Sequence, residues 1–152
     1  MTTPVARRQA ATGGPPPEWL LTALVDDGHA VLADLDSGDP ASAGVARDFT
    51  RTTLTGWGRD EKVFDAQLVI SELVTNAIRH AGGLVQVRLL RDGQHVACVV
   101  TDSSQALPVM TEDDDCFAEC GRGLHLVEAL SACWGCIVTK DRGKLVWAVL
   151  NP

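Results

Sequence analysis

Three polar residues on one stretch of the chain have the types and spacing to do chemistry. Glu72, Asn76 and His80 follow one another at intervals of four residues, so on a helix they form a single polar ridge. The amide oxygen of Asn76 is the kind of ligand that Mg²⁺ takes alongside water and phosphate oxygens. The carboxylate of Glu72, one turn earlier, can orient or deprotonate an attacking hydroxyl. A solvated helix face has the same pattern, and spacing alone favours that simpler interpretation.

Two shorter features have a related chemistry. Gly121-Arg122-Gly123 precedes an apolar segment with helical spacing, where glycines permit close backbone approach and free N–H groups attract anions. Asp102 ends a segment with the alternation of a strand, and its carboxylate can accept a hydrogen bond from the amino group of a base such as adenine. Each feature alone is also typical of an ordinary turn.

Helix caps, glycine turns and apolar periodicity predict the elements that must position these side chains. The first half is predicted to begin with a hairpin of Trp19–Leu24 and His29–Leu35, turned by Asp26-Asp27-Gly28. A first long helix is predicted from Pro40, with Asp39 as its cap, to Gly56-Trp57-Gly58, which ends it. A second long helix is predicted from its cap Asp60 to about His80, with Gly82-Gly83 as its stop. The second half is predicted to contain a hairpin of Leu84–Leu90 and His95–Thr101 turned by Arg91-Asp92-Gly93, a helix from Leu124 to Cys133, and a hairpin of Cys136–Thr139 and Lys144–Leu150 turned by Asp141-Arg142-Gly143. This order predicts an α/β (α+β) two-layer sandwich, in which a mixed, largely antiparallel sheet is covered on one face by about three helices.

Apolar residues at helical spacing predict the buried faces of the two long helices. In the first of them these residues are Val45, Phe49 and Leu54, with Thr52 or Thr53. In the second they are Val63, Ala66, Ile70, Leu73, Val74 and Ala77. We expect Trp134 and Trp147 to pack in the core rather than to stack on a base.

The composition excludes several classes of protein. The chain has 152 residues, of which 45% are hydrophobic and 22% charged, and a net charge of −7, which is typical of one globular domain. General binding to nucleic acid needs clustered Lys and Arg, so this negative balance argues against it. No apolar run is long enough for a membrane span, and the amino terminus lacks the apolar core of a signal peptide. We therefore expect a cytoplasmic protein with a flexible tail over residues 1–17, rich in Pro, Gly, Ala and Thr, and a single domain over residues 18–152.

Five cysteines leave a second kind of site open. Their odd number argues against a disulfide framework. The last four, Cys116, Cys120, Cys133 and Cys136, have the spacing C-x3-C, twelve residues, C-x2-C, which is close to that of a zinc site. The simpler interpretation is packing in the core, because Cys133 falls in a predicted helix and Cys136 begins a predicted strand. A zinc or redox role stays open at this point.

The chemical features, taken in order, resemble the GHKL superfamily of histidine-kinase-like ATPases. The matching motifs are Glu72-Leu-Val-Thr-Asn76-Ala-Ile-Arg-His80, Val-Val-Thr-Asp102-Ser, Gly121-Arg-Gly123-Leu-His-Leu-Val, Trp134-Gly135 and Gly143-Lys-Leu-Val-Trp147. Within the superfamily the chain is similar to small anti-sigma factor serine kinases and ATP-binding regulators of actinobacteria. The resemblance covers roughly residues 30–150 and implies a Bergerat-type ATP-binding fold.

The resemblance implies that ATP and Mg²⁺ are the cofactors and assigns residues to them. Asn76 would bind Mg²⁺, Glu72 would act as the general base, and Asp102 would hold the adenine amino group. The residues expected near the phosphates are Arg79, His80, Gly121, Arg122, Gly123 and Leu124.

The resemblance also implies partners. The protein would sequester a sigma factor, release it when an anti-sigma factor antagonist competes, and phosphorylate a serine of that antagonist; a homodimer is compatible with this function. One alternative is a non-catalytic or nucleotide-independent partner-switching module. The family's common Asp-x-Gly-x-Gly is here Asp102-Ser103-Ser104-Gln105-Ala106, and the loss of both glycines favours that alternative. A second alternative is an ATPase domain split from a sensor kinase, although no helix with a phospho-accepting histidine precedes the predicted domain.

Overall fold

Five antiparallel strands and the helices packed on them form the part of the chain that the structure describes. This computed structural model describes residues 16–25, 30–36, 39–81, 84–102, 125–139 and 143–152. In chain order the elements are α1 (Glu18–Val25), β1 (Ala30–Asp36), α2 (Ser42–Gly56), a 3₁₀ turn (Asp60–Lys62), α3 (Val63–Ala81), β2 (Leu84–Asp92), β3 (His95–Asp102), α4 (described over 125–130), β4 (Ser131–Thr139) and β5 (Gly143–Leu150). The strands lie in the order β1-β2-β3-β5-β4, and each neighbouring pair is antiparallel. The predicted α/β sandwich is therefore confirmed.

Alternation along the strands sends side chains to two faces of the sheet. On β3, Val96, Cys98 and Val100 lie in the large core shared with α2 and α3, whereas Ala97 and Val99 belong to a smaller core on the other face. The residues of α3 that are buried in the large core are Ala66, Val69, Ile70, Leu73, Val74 and Ala77. This list confirms the predicted apolar face of the second long helix, apart from Val63, which is only partly buried.

The smaller core explains an error in the sequence prediction. Residues 18–25, whose greater part was expected to be a strand, form α1, and β1 pairs with β2 instead. Leu20 of α1 is fully buried in the same cluster as Leu90 and Trp147. A short apolar run fits a helix and a strand equally well by its periodicity. Because it can cover apolar side chains on the second face of the sheet, this run becomes a helix.

The first long helix is buried along a different line from the predicted one. Its buried residues are Ser42, Ala46, Thr50 and Leu54, at intervals of four, whereas Val45 is 45% exposed. Small side chains on this line let α2 lie close to its neighbours. Leu54 is buried as predicted, and Phe49 packs at the edge of the core.

The starts of both long helices also differ from the prediction. Asp39 Oδ1 accepts a hydrogen bond from the backbone N–H of Ala41 at 2.9 Å, so it stabilises the turn that precedes α2 rather than capping a helix at Pro40. Asp60 lies inside the 3₁₀ turn that leads into α3, and no side chain caps that turn. The Arg59 guanidinium instead donates to Glu61 Oε2 at 2.8 Å and to the carbonyl oxygen of Gln94 at 3.0 Å. These contacts fasten the start of α3 to the turn between β2 and β3.

The two later hairpins are confirmed, and the last helix ends earlier than expected. Strand β2 continues to Asp92, two residues beyond its predicted end, and the chain turns at Gly93, the last residue of the predicted turn, which has a φ of 54°. The described helical residues 125–130 give way to β4 at Ser131, so Cys133 lies in a strand rather than in a helix. Trp134 and Trp147 are 3% and 1% exposed, as expected for packing residues.

The remaining predictions concern the chain's ends and its environment. Residues 1–15, most of the predicted tail, lie outside the described residues, as do the Gly82-Gly83 stop and the predicted turns at 26–28 and 141–142. Pro16, inside the predicted tail, is buried. Within the described ranges, none of the helices combines the length and apolar character of a membrane span.

Candidate functional site

One end of the sheet carries Asp102, one of the residues predicted to do chemistry. Val85 at the start of β2 pairs with Asp102 at the end of β3, and Asp102 pairs with Lys144 at the start of β5. The chain enters β2 soon after α3 ends at Ala81, and α3 packs on β2 and β3. The C-terminal part of α3 therefore leads to the same end of the sheet as the carboxylate of Asp102.

The polar ridge of α3 lies at the margin of the core. Glu72 and Asn76 are both partly buried, and they stand one turn apart beside the buried residues Leu73 and Ala77. This partial burial differs from the full solvation of an exposed helix face. Arg79 is exposed, and the side chain of His80 lies outside the described residues.

Two hydrogen bonds hold the ridge in place relative to α2. An Arg47 guanidinium nitrogen donates to Ser71 Oγ at 3.0 Å, and Gln67 Nε2 donates to the carbonyl oxygen of Arg47 at 3.0 Å. Ser71 and Gln67, the residues of α3 in these two bonds, both precede Glu72 on the helix. The ridge is thus carried by a helix that is fixed on one side by the sheet and on the other by α2.

A buried ion pair forms the other half of the site. Asp102 and Lys144 are 2% and 4% exposed, and Lys144 Nζ lies 3.6 Å from Asp102 Oδ2. Both side chains belong to the sheet face that carries α2 and α3, since they alternate with residues of the smaller core on the opposite face. Charges this deep in a protein need a partner to offset their desolvation. The pair supplies a fixed hydrogen-bond acceptor next to a fixed donor.

Lys144 is a buried charged residue to which the sequence analysis gave no role of its own. It stood there only at the start of the last strand and within the motif Gly143-Lys-Leu-Val-Trp147. The signal that could have identified it is the register between β3 and β5, which sets Lys144 directly opposite Asp102. Register cannot be read from either strand alone, because both alternate in the same way.

The cysteines do not form a metal site in the described part of the chain. Cys133 and Cys136 are three residues apart on one strand, so their side chains point to opposite faces of the sheet. Burial raises the pKa of Cys98 and of Cys136 to about 12, which opposes the thiolate form that binds metals. Cys116 and Cys120 lie outside the described residues.

The oxygen ligands fit a cation that brings most of its own ligands. Within the described ranges, no three His, Cys, Asp or Glu side chains converge on one point. Mg²⁺ bound to a nucleotide needs only one or two protein oxygens, and the partly buried amide of Asn76 can supply one. The predicted phosphate-binding residues 121–124 lie outside the described residues and directly precede the described part of α4.

Comparison with known protein families identifies the chain's domain. A family model described as histidine kinase-like ATPase domain matches residues 37–150, from just before α2 to the end of β5. This range contains Glu72, Asn76, Asp102 and Lys144. No curated protein matches the chain.

Proposed function

Because the chain belongs to the histidine kinase-like ATPase family, we propose that it binds Mg·ATP at the end of the sheet where α3, β3 and β5 meet. The observation that carries this proposal is the buried carboxylate of Asp102, which the strand register places at the end of the sheet where β2 begins shortly after α3 ends. A carboxylate buried there accepts a hydrogen bond from the adenine amino group. The partly buried amide of Asn76 holds Mg²⁺ through its oxygen.

We further propose that the protein is an anti-sigma-type regulator with serine kinase activity. Bound Mg·ATP would supply the γ-phosphoryl group to the serine oxygen, with cleavage of the bond to the β-phosphate oxygen and ADP as the leaving group. Glu72, one turn from Asn76, takes the proton from the serine hydroxyl of an antagonist protein at a carboxylate oxygen. Transfer of this kind depends mostly on positioning and charge stabilisation, so few residues are needed. By resemblance to the family, Arg79, His80 and residues 121–124 bind the phosphate oxygens.

The partners follow from this proposal. A sigma factor is the protein held by the regulator, and the antagonist that releases it is the phosphorylated substrate. Recovery of a sigma factor with the tagged protein from cell lysate supports this part, whereas recovery of sensor-kinase components instead contradicts it.

Substitutions on α3 test the two roles separately. We expect Glu72→Ala to abolish phosphoryl transfer and to leave ATP binding intact, since the carboxylate acts on the hydroxyl. Asn76→Ala should lose both, because it removes a ligand of the cation. Asp65→Ala is the matched control, since it removes a carboxylate from the first turn of the same helix, seven residues before Glu72. Calorimetric titration with Mg·ATP measures binding, and radiolabel transfer to the antagonist measures catalysis. Undiminished transfer by Glu72→Ala would refute its assignment as the base.

A second candidate function is a module that binds its partner without catalysis. The segment Asp102-Ser103-Ser104-Gln105-Ala106 favours it, because it lacks the two glycines that are common after this aspartate in the family. The same two assays distinguish the candidates. ATP binding without transfer to any cognate antagonist selects the module, and transfer that depends on Glu72 selects the kinase.

A further inference from the structure

We propose that Lys144 is a second base-reading residue, which together with Asp102 recognises the amino group and the adjacent ring nitrogen N1 of adenine and rejects guanine. This inference rests on the proposed function, in which Asp102 accepts a hydrogen bond from the amino group. It adds a specificity-determining residue on a different strand.

The position of Lys144 is fixed by regular structure. Asp102 and Lys144 are direct partners in the antiparallel register of β3 and β5. Their relative position is therefore set by the hydrogen-bonded sheet and does not depend on a loop. Each is at most 4% exposed, and Lys144 Nζ lies 3.6 Å from Asp102 Oδ2. At that separation the two groups lie side by side, at a spacing that neighbouring atoms of a base edge can bridge.

The hydrogen-bonding character of Asp102 and Lys144 is complementary to one edge of adenine. An ammonium can only donate hydrogen bonds, and an ionised carboxylate can only accept them. On adenine the amino group is a donor and the neighbouring N1 is an acceptor, so Asp102 takes the first and Lys144 the second. On guanine the same two positions hold a carbonyl oxygen and an N–H. A guanine placed in the same way would face Asp102 with an acceptor and Lys144 with a donor.

Lys144 offsets the buried charge of Asp102, but folding does not require an ion pair as such at this position. Replacing a buried ion pair by apolar residues of similar size is often neutral or stabilising. The chain offers a useful comparison in Lys62, which is 9% exposed and donates to the carbonyl oxygen of Asn151. Asn151 follows β5 directly, at the opposite end of that strand from Lys144. Lys62 is therefore a buried lysine that cannot take part in reading a base beside Asp102.

The test compares nucleotides that differ at single atoms. Calorimetric titrations with ATP, 1-deaza-ATP and GTP, each with Mg²⁺, are made on the unmodified protein, Lys144→Met and Lys62→Met. 1-deaza-ATP lacks only the N1 acceptor. In the unmodified protein we expect it to bind about tenfold or more weakly than ATP, as for the loss of a hydrogen bond to a charged group. In Lys144→Met the two should bind equally, and the preference for ATP over GTP should shrink. Lys62→Met should keep both preferences.

Each other outcome overturns the inference in a recognisable way. Equal binding of ATP and 1-deaza-ATP by the unmodified protein refutes it, even if Lys144→Met does not fold. If Lys144→Met still prefers ATP over 1-deaza-ATP as strongly as the unmodified protein does, Lys144 does not read N1. If that variant also binds ATP more tightly, Lys144 competes with the adenine amino group for Asp102. No binding of any nucleotide by the unmodified protein removes the proposed function as well. ATP binding that depends on Asn76 but not on N1 removes this inference alone.

Discussion

Removing the ammonium of Lys144 should destabilise the nucleotide-free protein far more than removing a surface charge does. The two charges are 3.6 Å apart, with side chains 4% and 1% exposed. With an effective dielectric constant of about 20, their attraction is about 5 kcal/mol. Breaking a buried pair by removing one partner costs about 3–5 kcal/mol, because the other charge stays buried. We therefore expect Lys144→Met to lower the free energy of unfolding by about 3–5 kcal/mol.

A double-mutant cycle separates the pair from the rest of the site. Asp102→Asn alone leaves a buried ammonium and should cost a similar amount. The double variant Asp102→Asn with Lys144→Met buries no charge, so it should be more stable than either single variant. The cycle is measured by urea unfolding without nucleotide, at low and at high salt, and a buried pair should respond little to salt.

The exposed ion pair of Arg51 and Asp48 provides the control for the buried one. Arg51 and Asp48 lie 3.2 Å apart with side chains 60% and 74% exposed, so Arg51→Ala should change stability by less than about 1 kcal/mol. If Lys144→Met costs no more than Arg51→Ala, or if the costs of Lys144→Met and Asp102→Asn simply add, the two charges do not interact as the structure indicates.

Two further predictions concern packing and pH. Leu20→Ala should lower the free energy of unfolding by about 2–4 kcal/mol, because Leu20 is 0% exposed and is the buried side chain through which α1 covers the second face of the sheet. The control is Val25→Ala on the same helix, at a position that is 83% exposed. Equal urea midpoints for the two variants would contradict the placement of α1. Stability should fall as the pH rises from about 9 toward 12, because burial raises the pKa of Cys98 and Cys136 from 9.0 to about 12, so the unfolded chain releases these protons first. Thermal melts across this range should be less steeply pH-dependent in Cys98→Ala with Cys136→Ala, and slopes equal to those of the unmodified protein would exclude the thiols as the cause.

The sequence predicts best the elements whose pattern is long and regular. The apolar face of α3 spans several turns, so its periodicity cannot be mistaken for that of a strand. The strands β2 and β3 alternate on both sides of a glycine turn, which predicts a hairpin with little ambiguity. Glu72, Asn76 and Asp102 could be proposed as site residues because their motifs resemble those of histidine-kinase-like ATPases, and the elements that carry them were predicted correctly.

The elements that were predicted wrongly depend on contacts distant in sequence. Residues 18–25 form a helix because they cover Leu90 and Trp147, which lie far along the chain. The buried line of α2 consists of small residues such as Ala46 and Thr50, which a search for large apolar side chains overlooks. Lys144 joins the site only through the register of β3 and β5, and register is a property of the folded sheet.

The central claim is that the chain binds Mg·ATP at the end of the sheet formed by α3, β3 and β5. The most direct test is calorimetric titration of the unmodified protein and of Asp102→Asn with ATP, once with Mg²⁺ and once with the cation chelated. We expect saturable binding to a single site by the unmodified protein, weaker binding without Mg²⁺, and a marked loss of affinity in Asp102→Asn. Absence of saturable binding by the folded, unmodified protein in the presence of Mg²⁺ would contradict it.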